Sequence, residues 1–173
     1  MRRASARATL PLAPPDVLRL WTDVERWPSF VEGFARRLEL TEAWPEPGGR
    51  IAWESAPSGR GRVTETVVEH GADRFSTQVY EAALAGVQTL RAVAVKEGGE
   101  GARSNDTTEG EASEDGSEEE ASEVELSLEY ELARYGPLRG LADALFIRRA
   151  LRDALRRTLS RFAIEAEEEA RLG

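Results

Sequence analysis

Residues 124–132 read VELSLEYEL, and residues 138–171 read LRGLADALFIRRALRDALRRTLSRFAIEAEEEAR. In the first stretch, Val, Leu and Tyr alternate with Glu and Ser, which predicts a strand with one buried face and one solvated face. The second stretch is rich in Leu, Ala, Arg and Glu, and predicts one helix of roughly 30 residues. Tyr135-Gly136-Pro137 separates the two elements.

The long helix has an apolar stripe, with arginines on the opposite face. Arg148 and Arg152 interrupt the stripe, and they are the one irregularity in the helix. Such a helix needs a sheet to lie on. The stripe consists of Leu141, Ala144, Leu145, Leu151, Leu155, Leu159, Phe162 and Ala166.

The preceding sequence supplies that sheet. Residues 3–10 alternate like a strand, and two short helical segments follow, the first from Asp16 to the break at Trp27-Pro28 and the second around Phe30. Strand-like runs come next, separated by Gly-containing turns. We therefore predict an α+β helix-grip fold, a curved antiparallel sheet around the long carboxyl-terminal helix, with two short helices after the first strand. The later runs are residues 37–44, RIAWESA (50–56), RGRVTETVVEH (60–70), RFSTQVYEA (74–82) and TLRAVAVK (89–96).

An acidic segment lies between the last two predicted strands. Residues 97–123 contain eleven acidic residues and one basic residue, Arg103, which gives a formal charge of −10 against −9 for the whole chain. Large apolar residues are missing there, so the segment cannot offset its ordering entropy by burial. We predict a disordered loop inserted into one domain that spans residues 1–173. An acidic arm that binds cations or mimics nucleic acid is the alternative.

Composition excludes several kinds of site. The chain has no cysteine, which excludes disulfides, thiolate catalysis and cysteine-bound metals. His70 is the one histidine, which argues against a histidine-built metal centre or a Ser-His-Asp relay. We expect no cofactor. The sequence has neither a signal-like nor a membrane-spanning apolar run, so we expect a soluble, cytoplasmic protein without stable membrane insertion.

Two segments carry a resemblance to a known family. APPDVLRLWTDVERWPSFVEGF (13–34) resembles the opening of START-like domains of the polyketide cyclase/dehydrase type, a superfamily also called SRPBCC or Bet v 1-like. LRGLADALFIRRALRDALRRTLSRF (138–162) is similar to their final helix, and GRIAWES and GRGRVTETV lie between the two where expected. The resemblance implies a hydrophobic cavity for a lipid-, isoprenoid- or polyketide-like molecule. It does not imply one reaction, because this superfamily includes aromatase/cyclases, quinone-binding proteins and lipid carriers.

Several residues are candidates for the cavity wall, and each has a structural alternative. The aromatic residues suit a ligand contact and also an ordinary core. Tyr130 could orient a carbonyl through its hydroxyl. Arg148 and Arg152 either bind an anionic ligand group or extend to the helix edge. The predicted cavity residues are Trp21, Trp27, Phe30, Trp53, Phe75, Tyr130, Leu145, Arg148, Arg152 and Phe162.

Three functions follow from this fold. The leading one is binding of a hydrophobic small molecule without catalysis. The second is a polyketide aromatase/cyclase or dehydratase, in which Tyr, Arg, Asp or Glu would supply the acid and the base. The third is a protein-interaction module whose cavity is filled by side chains. The six arginines between residues 148 and 161 could suggest nucleic-acid binding, but the folded part is near neutrality, so we expect no nucleic-acid partner. A protein partner is left open.

Overall fold

A computed structural model describes residues 1–56, 60–95, 120–132 and 142–172, and in the last range it describes side chains from residue 146 onward. Seven strands and three helices lie in these ranges. In chain order they are β1 (Arg2–Leu10), α1 (Pro14–Thr22), α2 (Trp27–Phe30), β2 (Phe34–Leu40), β3 (Arg50–Ser55), β4 (Arg62–His70), β5 (Arg74–Tyr80), β6 (Leu84–Ala94), β7 (Ser122–Leu132) and α3 (Ala142–Leu172).

The strands form one sheet in the order β1-β7-β6-β5-β4-β3-β2, and every neighbouring pair is antiparallel. From β2 to β7 each strand pairs with the next one in the chain, and β1 closes the far edge against β7. The 31-residue α3 lies against β1, β7 and α2. This arrangement confirms the predicted α+β helix-grip fold with two short helices after the first strand.

Two boundaries differ from the prediction. The strand predicted over residues 37–44 is β2, which begins at Phe34 and ends at Leu40, with register shifts against β3. Trp27-Pro28 does not merely end a helical segment, because α2 begins there. Proline is well suited to the first turn of a helix, where its missing N–H has no intrahelical partner to lose.

The predicted acidic loop, residues 97–123, lies mostly outside the described residues. Its last part is structured, since β7 already begins at Ser122 and this serine is fully buried. The Ser122 hydroxyl donates a 2.6 Å hydrogen bond to the Leu12 carbonyl oxygen, which ties the start of β7 to the end of β1.

The apolar stripe of α3 packs into an aromatic cluster. Leu155, Leu159, Phe162 and Ala166 are all buried. The Phe162 ring lies 4.9 Å from the Phe30 ring and 5.2 Å from the Trp21 ring, centroid to centroid. Both distances are in the range of favourable aromatic pairs. The remaining faces of α3 are strongly charged, and no helix in the described ranges combines the length and apolarity needed to cross a membrane.

Candidate functional site: a cavity between the sheet and the long helix

A cavity lies between the inner face of the sheet and α3, and α1 and α2 cover part of it. It encloses about 40 Å³, and the empty space amounts to about 540 Å³ when the open mouth is counted. Most of the wall is apolar, but several polar groups join it. The lining consists of Trp21, Trp27, Val31, Glu32, Trp53, Arg60, Glu65, Gln88, Leu126, Leu128, Leu151, Ala154, Leu155 and Thr158.

Strand β4 places a carboxyl group in the wall of this cavity. The part of the wall formed by Trp53, Arg60 and Glu65 is called the closed end, because Trp53 and Glu65 are buried. Alternate residues of a strand face opposite sides of a sheet. Val63, Glu65 and Val67 therefore share the inner face, and they are 0%, 3% and 2% exposed. Glu65 thus occupies a position where the pattern of the strand calls for an apolar residue.

Two neighbouring strands hold the Glu65 carboxyl group. The Trp53 Nε1–H of β3 donates to Glu65 Oε1 at 3.1 Å, and the Thr77 hydroxyl of β5 donates to Oε2 at 2.8 Å. Burial raises the pKa of Glu65 above its ordinary value, while the Thr77 hydrogen bond, the charge of Arg60 and the Trp53 hydrogen bond oppose the rise. The net direction is upward, so the uncharged acid is favoured relative to a glutamate in water.

Arg60 lies beside Glu65, just before β4 begins. Its guanidinium group pairs with Glu81, between β5 and β6, and lies 5.7 Å from the centre of the Trp53 ring. The next residue, Gly61, has a φ of +73°, which favours glycine, and its N–H donates to the Ser55 hydroxyl at 2.8 Å. Among the described residues, Arg60 Nη2 is a buried nitrogen without a hydrogen-bond partner.

Glu32, another residue of the cavity wall, bonds to α3 through its backbone and its side chain. Its backbone N–H donates to the Thr158 hydroxyl at 3.0 Å, and its carboxylate accepts from Arg157 at 2.9 Å and lies 2.7 Å from Arg161. Two of the six arginines on this part of α3 therefore neutralise a carboxylate in the cavity wall. The segment after α2 and the middle of α3 are held together there.

The structure separates the predicted site residues into three groups. Trp21, Trp27 and Trp53 line the cavity. Phe30, Phe75, Tyr130 and Phe162 are buried core residues outside its lining, with Phe75 packed 5.5 Å from the Trp44 ring. Arg148 is exposed, Arg152 is half-buried, neither lines the cavity, and the Leu145 side chain is outside the described residues.

Of the fourteen described residues that line the cavity, eleven are absent from the set predicted by sequence, and they include the charged residues Glu32, Arg60 and Glu65. A signal for Glu65 is present in RVTETVVEH, because a glutamate stands between two valines on the apolar side of an alternating strand. Arg60 belongs to the predicted run 60–70, but β4 begins only at Arg62, so strand alternation does not give the direction of the Arg60 side chain. The sequence pattern predicts that an arginine of the long helix faces the cavity. In the structure, the arginine that lines the cavity is Arg60, just before β4.

The sequence matches one family model over residues 1–167, and that family is described as polyketide cyclase / dehydrase and lipid transport. The chain belongs to this family. The match covers every strand and almost all of α3, and it confirms the resemblance noted above. A comparison with curated proteins finds no significant match.

Solved structures share the fold at low sequence identity. A protein from Thermus thermophilus superposes with a TM-score of 0.65 at 17% identity, covering 97% of this chain and 99% of that one. A norcoclaurine synthase point mutant from Thalictrum flavum, in complex with a transition-state analogue, has a TM-score of 0.61 at 11% identity, covering 97% and 95%. A START superfamily protein from Mycobacterium smegmatis has a TM-score of 0.57 at 10% identity, covering 96% and 97%. These similarities establish the fold.

Proposed function

We propose that this protein binds a hydrophobic small molecule, lipid-, isoprenoid- or polyketide-like, in the cavity between the sheet and α3. The observation that supports this is the apolar wall, to which three layers contribute: Trp27 from α2, Leu126 and Leu128 from β7, and Leu151 and Leu155 from α3. Concave apolar sites with a few polar groups are typical of small-molecule binding. Membership of a family whose description includes lipid transport supports the same function.

The size of the cavity limits how a ligand fits. An enclosed space of about 40 Å³ has room for roughly three water molecules, at about 10–15 Å³ each. A lipid or polyketide therefore occupies the open mouth as well, with one end in the enclosed part. On the α3 side such a ligand contacts Leu151, Ala154 and Thr158.

Native mass spectrometry of the purified full chain, followed by extraction and identification of bound molecules, tests the proposal. Ala154→Phe places a ring in the cavity, and we expect it to remove the bound molecule. Ala150→Phe is the matched control, because Ala150 is exposed on the same helix, and it should retain the molecule. Equal retention by both variants, or an empty wild type that binds no lipid, quinone or polyketide added to it, would refute the proposal.

Acid catalysis is the second candidate, and it is favoured by the position of Glu65. A buried carboxyl group with a raised pKa, at the end of an apolar cavity, can donate its proton to a carbonyl oxygen or to a hydroxyl that departs as water. Cyclisation and dehydration of a polyketide both use such a step. Trp53 and Thr77 fix the direction of the carboxyl group.

Glu65→Gln distinguishes binding from catalysis, since glutamine keeps the shape and both hydrogen bonds but cannot give up a proton. Incubation with a linear poly-β-ketone thioester, followed by mass spectrometry for loss of water, is the measurement. If the protein is an acid catalyst, the wild type converts the substrate and the variant binds it unchanged. If neither converts it, the protein is a binder only.

The protein-interaction module is the third candidate. It is favoured by the small enclosed volume, which a modest side-chain movement could fill. The same mass spectrometry decides this case, because a module of this kind would carry no small molecule and would bind none.

A further inference from the structure

The polar groups at the closed end of the cavity indicate which ligand atom lies there. We infer that the closed end binds an uncharged ligand through one carbonyl oxygen, which accepts hydrogen bonds from Arg60 Nη2 and from the Glu65 carboxyl group. The inference rests on the proposed function, since it names the chemical group by which a hydrophobic ligand is oriented.

The first argument is the unpaired donor. Arg60 Nη2 is buried and lacks a hydrogen-bond partner among the described residues, whereas Arg60 Nε donates to Glu81. A buried donor without a partner on a charged group is unfavourable in free energy. A ligand acceptor at this point would form a hydrogen bond with Arg60 Nη2 without breaking an existing one. Arg60 and Glu65 both belong to the wall of the same cavity.

The second argument concerns the proton of Glu65. Trp53 Nε1–H can only donate, so Glu65 Oε1, its acceptor at 3.1 Å, carries no proton toward it. In the uncharged acid we place the proton on Oε2, where the Thr77 hydroxyl lies at 2.8 Å and can accept it. A hydroxyl group can accept as well as donate, and a ligand oxygen next to Oε2 can take its place as acceptor.

The third argument is the balance of charge. With Glu65 uncharged, Arg60 and Glu81 cancel each other and the closed end has no net charge. A ketone or quinone oxygen preserves this neutrality while using both donors. A carboxylate would add one negative charge beside the buried Glu81, whose side chain is only 4% exposed, and unpaired buried charge is strongly unfavourable.

Three molecules of the same size test the inference against the full chain. Acetophenone carries the carbonyl, α-methylstyrene replaces its oxygen by a CH₂ group, and benzoate carries a negative charge. Binding is followed by NMR through the indole N–H of Trp53, which contacts Glu65 directly. We expect acetophenone to bind about tenfold more tightly than either of the others, the effect of one hydrogen bond to a charged group.

The double variant Arg60→Met/Glu81→Gln removes the donor without leaving Glu81 unpaired. It should lower acetophenone affinity about tenfold and leave α-methylstyrene affinity unchanged. Arg62→Met, at an exposed arginine at the start of β4, is the control and should change neither. The infrared carbonyl stretch of bound acetophenone gives a second measurement on the wild type, and it should lie at lower wavenumber than in an apolar solvent.

The outcomes separate the inference from the proposed function. Equal affinity for acetophenone and α-methylstyrene, or an unshifted carbonyl stretch, would overturn the carbonyl assignment and leave hydrophobic binding intact. Tighter binding of benzoate would overturn the requirement for an uncharged ligand. Failure of acetophenone and α-methylstyrene alike to bind would count against both the inference and the proposed function.

Discussion

Strands β4 and β7 belong to the same sheet and both contribute side chains to the cavity, yet their inner faces differ. In β7, Val124, Leu126 and Leu128 form an apolar row without a charge, and each is no more than 1% exposed. In β4, Glu65 interrupts the corresponding row. A fold can tolerate such a carboxyl group only where donors are already in place, as Trp53 and Thr77 are here. The comparison locates the polar end of the site on β4.

The largest effect is expected from a carboxyl group placed in β7. Leu126→Glu removes a fully buried leucine and buries an acid for which β7 supplies no arranged donors. We expect a loss of at least ~4 kcal/mol in the free energy of unfolding at neutral pH, measured by urea denaturation. Thr66→Glu, on the outer face of β4, is the control and should change stability by no more than about 0.5 kcal/mol. A mild effect of Leu126→Glu would show that β7 tolerates charge as well as β4 does.

A methyl group at the contact between β6 and β7 should have the next largest effect. Gly86 lies opposite Tyr130, and a Cβ atom at Gly86 would be 2.3 Å from the Glu129 carbonyl oxygen and 3.0 Å from the Tyr130 backbone. Gly86→Ala should therefore destabilise the protein by about 1–3 kcal/mol, since the backbone must move apart. Gly71→Ala is the control, because its nearest neighbour would be at 3.7 Å. Equal thermal stability of the two variants would contradict this account.

The variant Glu65→Gln tests the polar site on β4 through the pH dependence of stability. Burial holds the pKa of Glu65 above its ordinary value of 4.5, so above pH 4.5 the folded protein binds more protons than the unfolded chain. The stability contributed by this group is therefore complete below pH 4.5 and is lost as pH rises through the folded pKa. Glutamine does not titrate, so the variant should become the more stable protein as pH increases.

Urea midpoints of both proteins between about pH 4 and pH 8 measure this difference. Arg60 and Glu81, the charged groups beside Glu65, are present in both proteins, so their own contributions to the midpoints cancel when the two proteins are compared. A gap between the midpoints that stays constant with pH would show that folding leaves the pKa of Glu65 unchanged.

The same two strands show why the fold could be predicted and much of the site could not. Alternation in 124–132 and the helical stripe from Leu155 to Ala166 each depend on local periodicity, and both were predicted correctly. The closed end of the cavity depends on residues from β3, β4 and the turns between strands, brought together by pairing across the sheet. Periodicity gives the face on which Glu65 lies, but not the partners that satisfy it.

Arginine shows the same limit. Arg148 and Arg152 interrupt an apolar stripe and so stand out in the sequence, while Arg60 is the first residue of a predicted strand-like run and interrupts no apolar pattern. On the helix a long side chain can reach water from the edge of the stripe. The guanidinium group of Arg60 is held in the cavity wall by Glu81 and the Trp53 ring. These contacts are made in the folded structure, and no periodicity in the sequence predicts them.

Tyr130→Phe should have the smallest effect, and it tests a polar atom without a partner on the inner face of β7. The Tyr130 hydroxyl is buried without a hydrogen-bond partner among the described residues, in contrast to the carboxyl group of Glu65. Because an unpaired buried hydroxyl contributes no hydrogen bond in the folded state, its removal should leave the free energy of unfolding unchanged or raise it by up to about 1 kcal/mol. Tyr80→Phe, at an exposed tyrosine of β5, is the control and should be neutral. A loss greater than about 1 kcal/mol in Tyr130→Phe would mean that the hydroxyl is paired in solution, and β7 would then carry a second polar contact on its inner face.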